Sequence, residues 1–272
     1  MKKFLSFLVL IPMMFGIISC SAVNHTIFSK KYNTDPRESF VYISIKHTMT
    51  VCTTDDVCVS NDFKGSASGV IFKRSYKSSY ILTAAHVCGA PALESQAMLM
   101  GGKLESAHEV TTLTGRTYKT EVVSLDHSID ICTLFVPGLS HMPPIPRASE
   151  QPKPGDKIIN IAAPLGVFET NVVPIMTGVY IGDKKDGGAL YSLPAAGGSS
   201  GSMILNGDGE LIGVLFATHI GMNQLTLGTS FKETNKFIYE SIKKQDQTKM
   251  IKLIARVIQK GTLRDPKLLI SH

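Results

Sequence analysis

Between residues 39 and 231 the chain never holds apolar residues at the 3.6-residue period of a helix; short runs rich in Val, Ile, Tyr and Phe alternate with Gly, Pro, Asn and Asp. That pattern calls for many short strands. In the first half the runs are 39–47, 65–73, 80–87, 96–100, 110–113, 118–125 and 129–136. Six prolines between Pro137 and Pro154 then read as a linker. Beyond it come 156–163, 172–181, 189–193, 202–205, 210–217 and 224–231, with N-G-D-G at 206–209 as a hairpin turn. Helical periodicity returns only in 233–245 and 248–259, with Gly261 and Pro266 as stops.

The 43% apolar and 18% charged composition of the 272 residues supports a sizeable core. One large all-β domain accommodates this length. The first twenty residues run Met-Lys-Lys, an apolar stretch and Ser19-Cys20, which is the layout of an export signal. Ile17-Ile18-Ser19-Cys20 also resembles the bacterial lipobox, so Cys20 is the expected lipidation site and residues 21–35 a tether. The expected location is the periplasmic side of a bacterial membrane, with a soluble periplasmic or secreted form as the alternative. Four cysteines remain, an even number suited to an oxidising compartment. The favoured pairs are Cys52–Cys58, closing a small turn, and Cys88–Cys132.

The formal charge of +6 is concentrated at one end: residues 232–272 hold ten Lys/Arg against four Asp/Glu. The basic balance of the whole chain therefore says nothing of nucleic acid binding by the rest of it, and no nucleic acid partner is expected. Residues 246–272 read as a basic amphipathic helix and tail. That helix could dock on the body, lie on an anionic membrane or bind a partner; docking is the expectation.

Three strings carry chemistry: A-A-H ending at His86, S-I-D-I containing Asp130, and G-G-S-S-G-S at 197–202. A serine hydroxyl needs a base within hydrogen-bond reach and a third group to fix that base's tautomer. Ser200, His86 and Asp130 fit those roles. The backbone N–H groups of Gly198 and Ser200 are the candidate donors to an oxyanion, and a glycine there lets the turn aim them inward. Asp126 reads as a turn residue rather than the orienting acid. Ser199 and Ser202 lack the G-x-S-G frame that Ser200 has.

These strings belong to longer ones: S-A-S-G-V-I-F, Y-I-L-T-A-A-H-V, D-H-S-I-D-I-C-T-L-F-V, G-D-K-I-I-N-I-A-A-P-L-G, M-T-G-V-Y-I and A-A-G-G-S-S-G-S-M-I-L-N-G-D-G-E-L-I-G-V. Together they resemble trypsin-like serine proteases, with the bacterial periplasmic high-temperature-requirement type and the glutamyl endopeptidases nearest in motif. The resemblance runs from about residue 40 to 231. It implies two six-stranded antiparallel β-barrels, at about 36–137 and 154–231, inside a protease domain of 36–245, with the triad in the cleft between them. It also implies a serine endopeptidase that acts on polypeptides through an acyl-enzyme, without metal or cofactor.

Where the glutamyl branch has a threonine and a histidine against an acidic P1 side chain, this sequence has Ala196 and Leu215. No acid stands in 192–195 to favour Lys or Arg. A small or aliphatic P1 is expected, in a pocket formed by Pro194, Ala195, Leu215, Phe216, Ala217, Thr218 and Gly228. His219 is expected in a surface loop. The competing expectation is a protease-fold binding or chaperone-like envelope lipoprotein with weak catalysis.

Overall fold

The computed structural model describes residues 34–53, 57–219 and 221–259. The export signal, Cys20, nearly all of the tether and the expected helix stops lie outside them.

The chain enters through a turn of 3-10 helix at Pro36–Ser39, capped by the Asp35 carboxylate on the Arg37 N–H. Strand β1 (Phe40–Cys52) and strand β2 (Cys58–Ser75) form a long antiparallel hairpin, in unbroken register from Phe40↔Val70 to Cys52↔Cys58. Both strands run well past the lengths expected from sequence. Residues 58–65 are exposed, so no buried face imposes the apolar alternation that would have marked them as strand.

Strand β3 (Ser78–Thr83) is wholly buried. Residues 84–88 are not its continuation: the chain turns into the one-turn helix α1 (Ala85–Cys88), which carries His86. Helix α2 (Pro91–Leu99) replaces the strand expected at 96–100. Proline at its first turn and the Leu, Glu, Gln, Ala and Met that follow are helix formers, and no β-branched residue interrupts them.

Then come β4 (Gly102–Thr112), β5 (Thr117–Lys119), β6 (Glu121–Asp126) and β7 (Ile131–Pro137). They complete a seven-stranded sheet in the order β5-β4-β1-β2-β3-β7-β6. The single strand expected at 118–125 is two, because at Thr120 the chain leaves one edge of the sheet and joins the other. The result is a half-barrel whose seven strands do not close by hydrogen bonds.

The proline-rich linker ties the halves together. Ile145 N–H donates to Ile71 C=O, Leu211 N–H to Pro146 C=O and Ala148 N–H to Leu211 C=O, at 2.8, 2.8 and 3.1 Å. The second half is a closed antiparallel barrel of β8 (Lys157–Ile161), β9 (Ile175–Asp183), β10 (Gly188–Ser192), β11 (Met203–Asn206), β12 (Leu211–His219) and β13 (Met222–Thr229). The expected turn at 206–209 joins β11 to β12, with the Asn206 carboxamide oxygen accepting from the N–H groups of Asp208 and Glu210. The fold is the expected double-barrel type.

One apolar core runs through both halves, from Phe40, Ile43, Ile71, Leu82 and Leu134 to Ile159, Met203 and Val214. A second, around Tyr180, Tyr191, Ile204 and Leu215, fills the closed barrel. Each such side chain contributes roughly 1.5–3 kcal/mol by leaving water.

Helix α3 (Phe231–Gln259) is continuous, where two helices were expected. Neither Gly nor Pro lies between Gln245 and Thr248 to break it. Ser230 accepts from the Glu233 N–H at its start. Phe237, Ile238 and Ser241 are buried against the body, and Ser241 accepts a hydrogen bond from Thr133 of β7 at 3.4 Å. The docked residues belong to the helix expected at 233–245; the basic segment for which docking was expected begins beyond them, at Asp246, where the described side chains Asp246, Gln247 and Ile251 are exposed. No described helix is long and apolar enough to cross a membrane.

Candidate active site

His86 is held from several directions. Its ring Nδ1 lies 2.9 Å from Asp130 Oδ2 and 3.2 Å from Oδ1, while its backbone N–H donates to Oδ1 at 3.0 Å. A carboxylate that holds both the ring and the backbone of one residue fixes the imidazole's rotation as well as its position. Burial alone would push the Asp130 carboxyl up. The hydrogen bonds from the His86 ring and backbone, the His86 charge and the Ala85 N–H outweigh it and hold the group below the usual carboxylate range.

Asp130 does not sit on a strand, as expected, but in the turn before β7, with φ at +52°. Aspartate tolerates the left-handed region better than most residues, and such strain persists where the surroundings determine it. Here two hydrogen bonds to His86 do so.

The neighbours of His86 are tied down too. Cys88 is joined to Cys132 of β7, and the Val87 carbonyl lies 2.7 Å from Nε2 of the buried His108. The disulfide, one of the two expected pairs, thus braces the histidine's helix to the strand that follows the aspartate. The second bridge, Cys52–Cys58, closes the tip of the β1–β2 hairpin as expected.

The 197–202 turn separates its three serines clearly. Ser199 is fully buried, its Oγ accepting from the Ala196 N–H at 3.3 Å. Ser202 is fully buried and accepts from the Asn160 carboxamide at 2.8 Å. Ser200 alone is partly open, and among the described residues its hydroxyl has no hydrogen-bond partner, His86 included. The Gly198 and Ser200 N–H groups are likewise unpartnered among the described residues. Gly198 has φ of +93°, the conformation that leaves these N–H groups free to point together.

What places this turn beside His86 is Ser68, a residue the sequence reading passed over. Its N–H donates to the Ser200 carbonyl, its hydroxyl donates to the Gly198 carbonyl and accepts from the Ala163 N–H, and its own carbonyl accepts from Thr83 Oγ1, all at 2.8–2.9 Å. Thr83 ends the strand that leads into α1. Gly201, at φ +83°, lies so close that a Cβ there would strike Thr83 Oγ1 and the Ser68 carbonyl. The Leu165 N–H supports the turn from its other side, donating to Gly197 C=O at 2.6 Å.

The expected pocket residues divide. Pro194 is exposed, and Ala195, Phe216, Ala217 and Thr218 are half-buried beside the turn's supports on β12. Leu215 and Gly228 depart from expectation. Leu215 is 1% exposed in the second core, and Gly228 is packed between Tyr191 and Ile204. Both positions are packed inside the closed barrel, Leu215 among the residues of the second core and Gly228 against them. Asp126 behaves as a turn residue, accepting from the N–H and hydroxyl of Ser128. His219 is exposed.

The model of the trypsin-like peptidase domain matches residues 67–214, more than half of the chain. The chain belongs to the trypsin-like peptidase family. It is a serine-type endopeptidase by that membership. Among solved structures, this peptidase resembles the serine endoprotease from Yersinia pestis at 18% identity and a TM-score of 0.56, over 78% of this chain and 68% of that one. It also resembles an inactive mutant form of Rv3671c from M. tuberculosis H37Rv at 17% identity and a TM-score of 0.51, over 75% of this chain and 87% of that one. Both likenesses concern the fold. Comparison with curated proteins yields no match.

Proposed function

We propose that this peptidase cleaves polypeptides with Ser200 as nucleophile, His86 as general base and then acid, and Asp130 as the group that orients the imidazole and stabilises its charged form. The observation that carries the reading is the paired grip of Asp130 on the ring and backbone of His86, beside the accessible Ser200. Ser200 Oγ attacks the scissile carbonyl as its proton passes to His86 Nε2. The oxyanion is received by the Gly198 and Ser200 N–H groups. The protonated imidazole gives its proton to the departing amine, and water then releases the acyl half by the reverse sequence. Each oxyanion donor supports the rate by about 10²–10³.

For the acyl side chain we propose a small or aliphatic residue, bounded by Pro194, Ala195, Phe216, Ala217 and Thr218. We further propose export, with lipid attachment at Cys20 holding the enzyme on the periplasmic face of a membrane; the support is the sequence pattern of residues 1–20.

The missing Ser200–His86 hydrogen bond favours a second reading, a peptide-binding protein with weak catalysis. A fluorophosphonate probe separates the two. Labelling of the wild type that disappears in Ser200→Ala and falls sharply in His86→Ala is expected; no Ser200-dependent labelling across pH 5–9 would remove the enzyme reading. A Cys20→Ala chain should leave the membrane fraction and lose its lipid-dependent mobility shift, and unchanged partitioning would remove the anchor.

A further inference from the structure

The β1–β2 hairpin continues far beyond the body of the first sheet, and its outer strand has one unused edge. β2 pairs with β1 from Val70 out to Cys58 but acquires its other neighbour, β3, only from Val70 onward. Ser68 shows which way the backbone faces: its N–H reaches Ser200 and its carbonyl takes Thr83 Oγ1, both away from β1. The register has no bulge, so the two-residue period turns the N–H and C=O groups of Ser66, Lys64, Asp62 and Ser60 toward the same open side. None of these groups has a backbone partner among the described residues.

Long open edges are usually blunted because they recruit other strands. This one has no bulge and no proline, no described element covers it, and one of its faces carries exposed Val59 (58%) and Phe63 (44%). The opposite face is polar, with Thr50–Ser60, Thr48–Asp62 and Lys46–Asp62 contacts across the hairpin. The bridge Cys52–Cys58 closes the tip. At the inner end stands the turn of Pro164–Gly166, where Gly166 lies beside Ser66 and Leu165 is exposed.

We propose that this edge is a docking rail for the leaving-group side of the substrate, which adds to β2 as an antiparallel strand. The inference rests on Ser200 being the nucleophile. The serine turn is hydrogen-bonded to β12 on one side, through Gly201 and Leu215, and to β2 on the other, through Ser68. With the acyl side chain against β12, the chain beyond the scissile bond leaves along β2. It runs away from Ser200 while β2 runs toward it, which is the antiparallel sense. From Ser68 to Ser60 the rail is about 26 Å long, room for roughly eight residues at 3.3 Å each. Only extended chain can occupy it, so the substrate class is unfolded or strand-forming polypeptide with apolar side chains at alternate positions.

The test uses the full chain carrying Ser200→Ala and two synthetic peptides, identical before the scissile bond and followed by two or by eight residues of alternating Val and Thr. Fluorescence anisotropy should show the longer peptide binding about tenfold or more tighter, as expected for several added strand hydrogen bonds. Adding Lys64→Pro removes an outward N–H without touching the β1 ladder and should cut the advantage to about twofold or less. Val59→Ser with Phe63→Ser, both at exposed positions, should reduce it while leaving the fold intact. Equal affinity for the two peptides, or an advantage that survives Lys64→Pro, overturns the rail. So does an edge occupied by a second copy, seen as a dimer that Lys64→Pro dissociates and that long peptide does not. Binding is read on an inactive chain, so its outcome is independent of the fluorophosphonate labelling that tests catalysis.

Discussion

The two halves solve the same problem differently. The closed barrel of 157–229 bonds every strand to two neighbours and contains no cysteine. The half-barrel leaves β5 and β6 as open ends and a long stretch of β2 half-paired, and both described disulfides lie in it. Ladder closure holds one half and covalent bridges reinforce the other, while α3 packs on both, against β6 and β7 and against β12. The half that needs reinforcement supplies His86 and Asp130. The self-sufficient half supplies the serine turn.

The largest test of this contrast is at the joint. Gly201→Ala forces a side chain into a left-handed position against Thr83 and Ser68, and should cost about 3–5 kcal/mol and abolish fluorophosphonate labelling. Urea denaturation and labelling read both, and near-wild-type values would show the halves to be more loosely joined than described here.

Next come the bridges. Loop closure over the 44-residue separation of Cys88–Cys132 is worth about 4 kcal/mol, and over the six of Cys52–Cys58 about 2 kcal/mol. Paired serine substitutions should therefore differ by roughly twofold in lost stability, and only the first should impair labelling of Ser200. Thiol trapping under mild reductant should find Cys52–Cys58 open first, because its cysteines are exposed while Cys88 and Cys132 are buried. The reverse order would break the comparison.

Ser68→Ala leaves the strand intact but strips the hydroxyl from the Gly198 carbonyl and the Ala163 N–H. The expected cost is about 1–3 kcal/mol. The loss should fall on kcat more than on KM, since the proposed oxyanion turn and not the proposed pocket is disturbed.

The smallest effects are those of pH, and they address the halves separately. His108, in the half-barrel, is held below the usual histidine range by burial, against the raising effect of the Val87 carbonyl and with help from nearby His47. As pH falls through about 6.5 the unfolded chain takes up a proton that the folded chain resists, so stability is lost toward acid. Asp130 adds a further loss as pH falls from about 4, because its carboxyl is held down only in the fold. Tyr180, in the closed barrel, is pushed up to about 12 by burial and by its hydrogen bond to Asp183. Above about pH 10 the unfolded chain loses a proton that the folded chain keeps, and stability is lost from there to the folded value. Thermal melts across pH should show His108→Gln flattening the acid side and Tyr180→Phe the alkaline side. A single variant that flattened both would mean the halves do not titrate independently.

Much of this was legible in the sequence where information is local. The order of His86, Asp130 and Ser200, the turn at Asn206 and both cysteine pairs follow from short strings and spacings. What escaped was set by distance or exposure. Ser68 meets Gly198 across 130 residues, which no local pattern encodes. The outer hairpin has no buried face, so it carries no alternation. The run of 80–87 reads as strand because it is largely apolar, and a one-turn helix whose other residues are buried has the same composition as the end of a buried strand. The place of Leu215 escaped for the same reason: its string marks β12 but not which of its consecutive apolar residues enter the second core, where Leu215 is buried.

The wedging of Gly201 against Thr83 and Ser68 has a consequence for timing. The turn bearing Ser200 is held by the strand bearing Ser68, by the end of β3 and by the second barrel together, so the proposed nucleophile has its place only where all three have met. With Ser200 in the proposed role, a chain still being synthesised, threaded or unravelled should be silent toward a serine-directed probe, and its first labelling should report that both halves have met.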